Sequence, residues 1–234
     1  MTASLTEPVA RTSHPAPCPA PHPAPPQASR RPSWLVIADL VAVLLFAFEG
    51  ALLGIAAGLD VIGVLTVGFI SSLGGGLVRD LLCHATPPAA LSSITYPATA
   101  FLGGAIAVVG YQVLTPVPLE VRAPLDAAAL GLFCVVGAMK ALDFRMRSIA
   151  AVLLGAMSAI GGGVVRDVLL GTVPTALRTD ACAVAALSGA CVTVVALRWG
   201  GSRGVAATLG VATCVVVSLL SAIAGWHLPP VARQ

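Results

Sequence analysis

Within a run of apolar residues the chain carries Gly74-Gly75-Gly76-Leu77-Val78-Arg79-Asp80. Eighty-seven residues later it carries Gly161-Gly162-Gly163-Val164-Val165-Arg166-Asp167. Two kinds of chemistry are open to this pattern. Glycine weakens a helix interior by about 1 kcal/mol per residue against alanine, so each triplet is expected to break its helix and free backbone carbonyls. Such groups survive in a membrane only where they are buried in protein or line a polar cavity. At the end of a half-helix they carry the negative end of its dipole and suit a cation. The alternative is close packing, because small residues let membrane helices approach each other. The Arg-Asp pairs lie a few residues from the ends of their runs. There an arginine either snorkels and caps helix carbonyls beside a carboxylate, or contacts an ion directly.

Other polar residues stand near these motifs. Glu49 is a lone carboxylate near the middle of the first apolar run, where it must face protein or water. Lys140, near the end of the fourth run, either snorkels or serves the same interior. Ser71, Ser72 and Ser158 precede the triplets, and their hydroxyls line a polar path or bond back to their own helix. Asp39 and Asp126 occupy equivalent positions at the starts of the two units. Asp126, after Pro124, reads as a helix N-cap, whereas Asp39 lies one turn deeper. The candidate ion pathway is therefore Gly74, Gly75, Gly76, Gly161, Gly162, Gly163, Ser71, Ser72, Ser158 and Glu49. Arg79, Asp80, Arg166, Asp167, Lys140, Asp39 and Asp126 are candidate gating or structural charges.

The elements that must position these groups are membrane helices. Hydrophobic residues make up 57% of the 234 positions, charged residues 10%, and the mean hydropathy is +0.95. A soluble domain carries about 25% charge, so too few charges are present here to wet a globule. Apolar runs cover roughly 34–58, 61–83, 89–113, 125–142, 148–170, 180–199 and 204–226, and several approach the roughly 20 residues that span a bilayer. Between them lie short turn-forming breaks. Residues 1–33 hold nine of the eighteen prolines and read as a disordered tail. The six cysteines form no CxxC pair and read as small apolar residues. The four histidines have no metal-ligand spacing, and no metal is expected beyond a permeating cation.

The repeat extends beyond the glycines. In the same register Asp39 meets Asp126, Phe46 meets Phe133, Gly50-Ala51 meets Gly137-Ala138, and Pro87 meets Pro174. Each unit holds three spans, an odd number, so the second enters the membrane from the opposite side. The expected architecture is an all-α membrane protein of seven transmembrane helices. Residues 34–120 form the first three-helix repeat, 121–200 the second and inverted one, and 201–234 the seventh helix and C-terminus. Arginines on the side of the N-terminus outnumber those opposite, which favours a cytoplasmic N-terminus.

With GGGLVRD and GGGVVRD placed in two three-helix repeats, the chain resembles the bacterial relatives of the trimeric intracellular cation channels, also known as a glycine-transporter domain family. The resemblance covers about 34–226. It implies a homotrimer in the cell membrane of a bacterium and a potassium-permeable pore in each protomer, beside glycine-broken second and fifth helices. The triplets map onto Gly74 to Gly76 and Gly161 to Gly163. The competing class is a secondary transporter of glycine or another small solute by alternating access. No nucleophile–base pair, HExxH, Walker loop or GxSxG is present, so no enzyme is expected. The expected partners are lipid, potassium ion and further copies of the chain, with no cofactor and no nucleic acid.

Overall fold

The computed structural model describes residues 32–85, 87–113, 119–178 and 180–224. Among these residues the chain forms nine helices and no strand: α1 Ser33–Ala56, α2 Val61–Leu82, α3 Ala89–Ser92, α4 Thr95–Val113, α5 Leu119–Asp143, α6 Ser148–Leu169, α7 Thr175–Arg178, α8 Asp180–Arg198 and α9 Arg203–Ala224. Of these, α3 and α7 are single turns. The helices α1, α2, α6 and α9, together with Arg122–Asp143 of α5, are long and apolar enough to cross a bilayer. The proline-rich segment 1–33 lies outside the described residues, apart from its last two.

The surface is apolar and the interior charged. Ile94, Ile149 and Ile223 are among many exposed large aliphatic residues, whereas Asp39, Glu49, Arg79, Asp80, Lys140, Arg166 and Asp167 are buried. Water would reverse that distribution; lipid favours it, because charges at membrane depth must turn inward. The bundle core is made of small and aromatic side chains, with Phe46 and Phe133 packed at a centroid distance of 5.2 Å.

The 87-residue register persists in the backbone. α1 and α5 end in matching Schellman caps, in which Leu59 N–H donates to Gly54 O and Met146 N–H donates to Ala141 O. α2 and α6 end the same way, with Ala85 N–H on Asp80 O and Thr172 N–H on Asp167 O. Each such cap needs a left-handed residue. The first repeat supplies Gly58 (φ 76°) and His84 (φ 53°), and the second supplies Arg145 (φ 57°) and Gly171 (φ 68°). Glycine and a side-chain residue have traded places between the repeats, while the geometry has not changed. A non-glycine residue in that region is disfavoured by roughly 1–2 kcal/mol. His84→Gly is therefore expected to raise the thermal midpoint of the purified protein, and a lowered midpoint would show that the His84 side chain contributes more than its backbone strain removes.

Two sequence expectations are corrected here. The triplets do not break their helices: α2 and α6 are continuous through Gly74–Gly76 and Gly161–Gly163. Glycine is needed there because the two helices cross in contact. A Cβ on Gly75 would fall on the carbonyl oxygen of Ser158, and one on Gly162 would lie 2.5 Å from that of Ser71. Since 75 and 158 map onto 162 and 71 by the repeat, the crossing is reciprocal. The second correction concerns Asp126. α5 starts at Leu119 and contains Pro124, so Asp126 lies inside the helix rather than capping it. Pro124 is the sixth residue of α5, past the first turn, so it removes one i→i−4 hydrogen bond from that helix.

Candidate functional site

The repeats build two charge clusters from the same parts. In the first, on α1 and α2, the Arg79 guanidinium donates twice to Asp39, Nη1 to Oδ1 and Nη2 to Oδ2, both at 3.0 Å. Its Nε donates to Asp80 Oδ1 at 2.9 Å. Lys140 reaches in from α5 and donates to the same Asp80 oxygen. Asp80 Oδ2 accepts the backbone N–H of Ala89, at the start of α3, at 3.0 Å. Tyr96, on α4, donates its hydroxyl to Asp39 Oδ2 at 3.0 Å. Two carboxylates meet two cations, and all four side chains are almost wholly buried. This cluster is balanced and closed.

Tyr96 adds one donor to a carboxylate already held by a bidentate arginine. A hydrogen bond to a charged group contributes about 1.5–3 kcal/mol. Tyr96→Phe is accordingly expected to lower the thermal midpoint without preventing assembly, and an unchanged midpoint would show that the bond adds nothing.

The second cluster repeats this plan with one change. Arg166 Nε donates to Asp167 Oδ1 at 2.9 Å, as Arg79 does to Asp80. Asp167 Oδ2 accepts the N–H and hydroxyl of Thr175, at the start of α7, at 2.7 and 2.9 Å. The Arg166 Nη1 turns away from the residue equivalent to Asp39 and donates to Glu49 Oε1 at 2.8 Å. Asp126 lines the same cavity as Glu49, so two carboxylates face one space. Glu49 Oε2 and Arg122 Nε are buried with no partner among the described residues. Glu49, Leu53, Arg122, Asp126, Arg166 and Asp167 line an open cavity of about 500 Å³.

Between the clusters lie two smaller cavities, of about 40 and 10 Å³. The first is lined by Phe46, Asp126, Leu130, Ala159, Gly163 and Arg166. The second is lined by Phe133, Asp39, Val43, Ser72, Gly76 and Arg79. Each residue named in one is the 87-residue counterpart of a residue in the other. The Phe46 ring that lines the first packs against the Phe133 ring that lines the second. Asp39 and Leu53 are separated by 14 residues of α1, about 21 Å along a helix rising 1.5 Å per residue. The closed cluster and the open cavity thus lie near opposite ends of one helix.

The sequence-derived site residues fall into this frame unevenly. Gly76 and Gly163 line the small cavities. Gly75 and Gly162 lie at the helix crossing, and Gly74 and Gly161 adjoin it. Ser72 bonds back to Phe69 O at 2.9 Å. Ser158 Oγ donates across the crossing to Gly75 O at 3.4 Å, and Ser71 Oγ has no partner. Neither Arg-Asp pair snorkels, and neither does Lys140: all are buried in ion pairs inside the bundle. Tyr96, Arg122 and the aromatic pair were not singled out. The repeat itself carried the signal for the phenylalanines, which match in register, while nothing in register marks Tyr96 or Arg122.

Helices that are apolar outside and charged inside define a multi-pass integral membrane protein. The family described as "Glycine transporter" matches residues 36–112 and 124–198, one segment for each repeat. A UPF0126 membrane protein of Streptomyces coelicolor is 40% identical over 202 residues, covering 86% of this chain and 92% of that one. The UPF0126 inner membrane protein YadS of Escherichia coli is 31% identical over 198 residues, covering 83% and 92%. Among solved structures, one from work on conductance through TRIC cation channels superposes with a TM-score of 0.77 at 33% identity, covering 85% of this chain and 98% of that chain. The chain belongs to this family, and it is a multi-pass protein of the bacterial cell membrane.

Proposed function

We propose that the chain forms a monovalent cation channel, permeable to potassium, with a conduction path inside each protomer of a homotrimer. In this reading the seven long helices all span the membrane, and the two three-helix repeats run in opposite directions through it. The path enters at the open cavity beside Glu49 and Asp126 and passes Gly163, the Phe46–Phe133 contact and Gly76. It ends at the closed cluster, where Lys140 and Asp80 form the seal. The observation that carries this reading is the pair of repeat-related cavities, each lined by a triplet glycine and an Arg-Asp pair. The solved TRIC cation channel supports the class, and a similar structure, a trimeric intracellular cation channel orthologue from Rhodobacter sphaeroides, supports the trimer.

The glycines act here through their lack of a side chain. Because α2 and α6 stay helical, their carbonyls remain committed to the helix ladder, and the polar lining comes from side chains. Carboxylates predominate at the open end, which favours entry of cations over anions, since charged walls concentrate counter-ions.

The test is transport by purified protein in liposomes. A channel gives potassium flux that rises with the gradient without saturating at low millimolar concentration, and gives no concentrative glycine uptake. Saturable glycine uptake with no potassium conductance would overturn the channel reading in favour of a carrier.

A further inference from the structure

The two clusters differ in one position that the repeat makes directly comparable. Lys140 on α5 delivers its ammonium to Asp80 on α2. Shifted by 87 residues, Lys140 becomes Leu53 on α1 and Asp80 becomes Asp167 on α6. Leu53 and Asp167 line the same open cavity. Where the first repeat places its own cation against a carboxylate, the second therefore places a neutral side chain and open space.

The charge count follows the same pattern. In the first cluster Asp39 and Asp80 are matched by Arg79 and Lys140. The groups facing the second cavity are Glu49 from α1, Arg122 and Asp126 from α5, and Arg166 and Asp167 from α6. Among the described residues, three carboxylates meet two guanidiniums. Glu49, only 6% exposed, carries an oxygen with no donor among the described residues, and Asp126 adds a second carboxylate to the same cavity. A buried carboxylate pair with an unsatisfied oxygen is strongly unfavourable unless a proton or another cation joins it.

We propose that the open cavity is a binding site for one monovalent cation, held by Glu49, Asp126 and Asp167 in the role that the Lys140 ammonium plays in the other repeat. The lysine of the first repeat shows the ligand class: a single positive charge, small enough to approach a carboxylate directly. The proposal deepens the channel reading by assigning the site at which a permeating ion is first bound, and it is tested without conduction.

The experiment measures the thermal midpoint of the purified oligomer during potassium chloride titration. Ionic strength is held constant with tetraethylammonium chloride, whose ethyl groups keep its charge away from carboxylates. The wild type is expected to gain stability with potassium, because a ligand that binds only the folded state raises the midpoint. Leu53→Lys supplies the missing ammonium from the chain and is expected to lose that dependence, whereas Leu53→Met keeps it. If Leu53→Lys does not assemble, Glu49→Gln serves instead; it retains the acceptor for Arg166, removes the unsatisfied charge, and is expected to lose the dependence too. A wild-type midpoint indifferent to potassium, or a dependence that survives in Leu53→Lys or in Glu49→Gln, would overturn the site. Potassium dependence without potassium flux would leave the site standing and reject the channel.

Discussion

Gly75→Ala is expected to disrupt the protein far more than Gly74→Ala or Gly76→Ala, although all three add one methyl group to one triplet. A Cβ at Gly75 would collide with the Ser158 carbonyl oxygen, a backbone atom that cannot turn aside. At Gly74 the nearest atom is a Val165 methyl at 3.5 Å, and at Gly76 it is the Arg79 Nη2 at 3.9 Å. Overpacking a well-packed interface is unfavourable by about 1–3 kcal/mol, and here the strain falls on the contact that joins the two repeats. Gly162→Ala is expected to behave like Gly75→Ala, and Gly161→Ala and Gly163→Ala like the outer positions. The yield of folded oligomer and its thermal midpoint report the difference. Equal tolerance at all six glycines would show that the helices do not cross so closely.

Lys140→Met is expected to lower stability and raise potassium flux per folded molecule. Methionine nearly preserves the volume of lysine but leaves Asp80, among the described residues, with Arg79 Nε and the Ala89 N–H as partners. Removing one member of a buried ion pair is unfavourable by about 3–5 kcal/mol. That loss follows whatever the protein does. The rise in flux follows only if the Lys140–Asp80 pair closes one end of a conduction path. Lower stability with unchanged flux per folded molecule would reduce Lys140 to a structural role, so flux must be normalised to assembled oligomer.

Much of this architecture was legible because duplication writes it twice. One glycine triplet permits several explanations, but two triplets in a common register, each followed by Arg-Asp, mark a shared structural task. The register also extends to features that residue identity hides, since His84 with Gly171 and Gly58 with Arg145 form the same left-handed caps from different residues. What the sequence did not show was the use of the glycines. Helix propensity is a local quantity, and it argued for broken helices. The tertiary contact prevailed, because the central glycine of each triplet lets the two helices meet backbone to backbone. Partner choice was equally hidden. Arg79 and Arg166 are identical in context along the chain, yet one binds Asp39 and the other Glu49. That difference arises because Glu49 aligns with Val136 and Lys140 with Leu53. The functional asymmetry therefore resides in the positions where the repeat fails.

The most direct test of the conduction path uses single-channel recording of Gly163→Cys in planar bilayers before and after silver ion is added. A Cβ at Gly163 has no neighbour closer than the Arg166 Nη2 at 3.7 Å, so the thiol fits, and it would line the small cavity beside Phe46. Silver is a monovalent cation that enters potassium-permeable paths and binds thiolate; because the native Cys182 lines the same cavity, Gly163→Cys and its control both carry Cys182→Ala. The expected result is potassium current in both proteins, with silver abolishing it in Gly163→Cys through successive steps, one for each protomer, and leaving the Cys182→Ala control open. Undiminished current in Gly163→Cys after its thiol is shown to be silver-bound would place the path elsewhere and contradict a pore through the protomer.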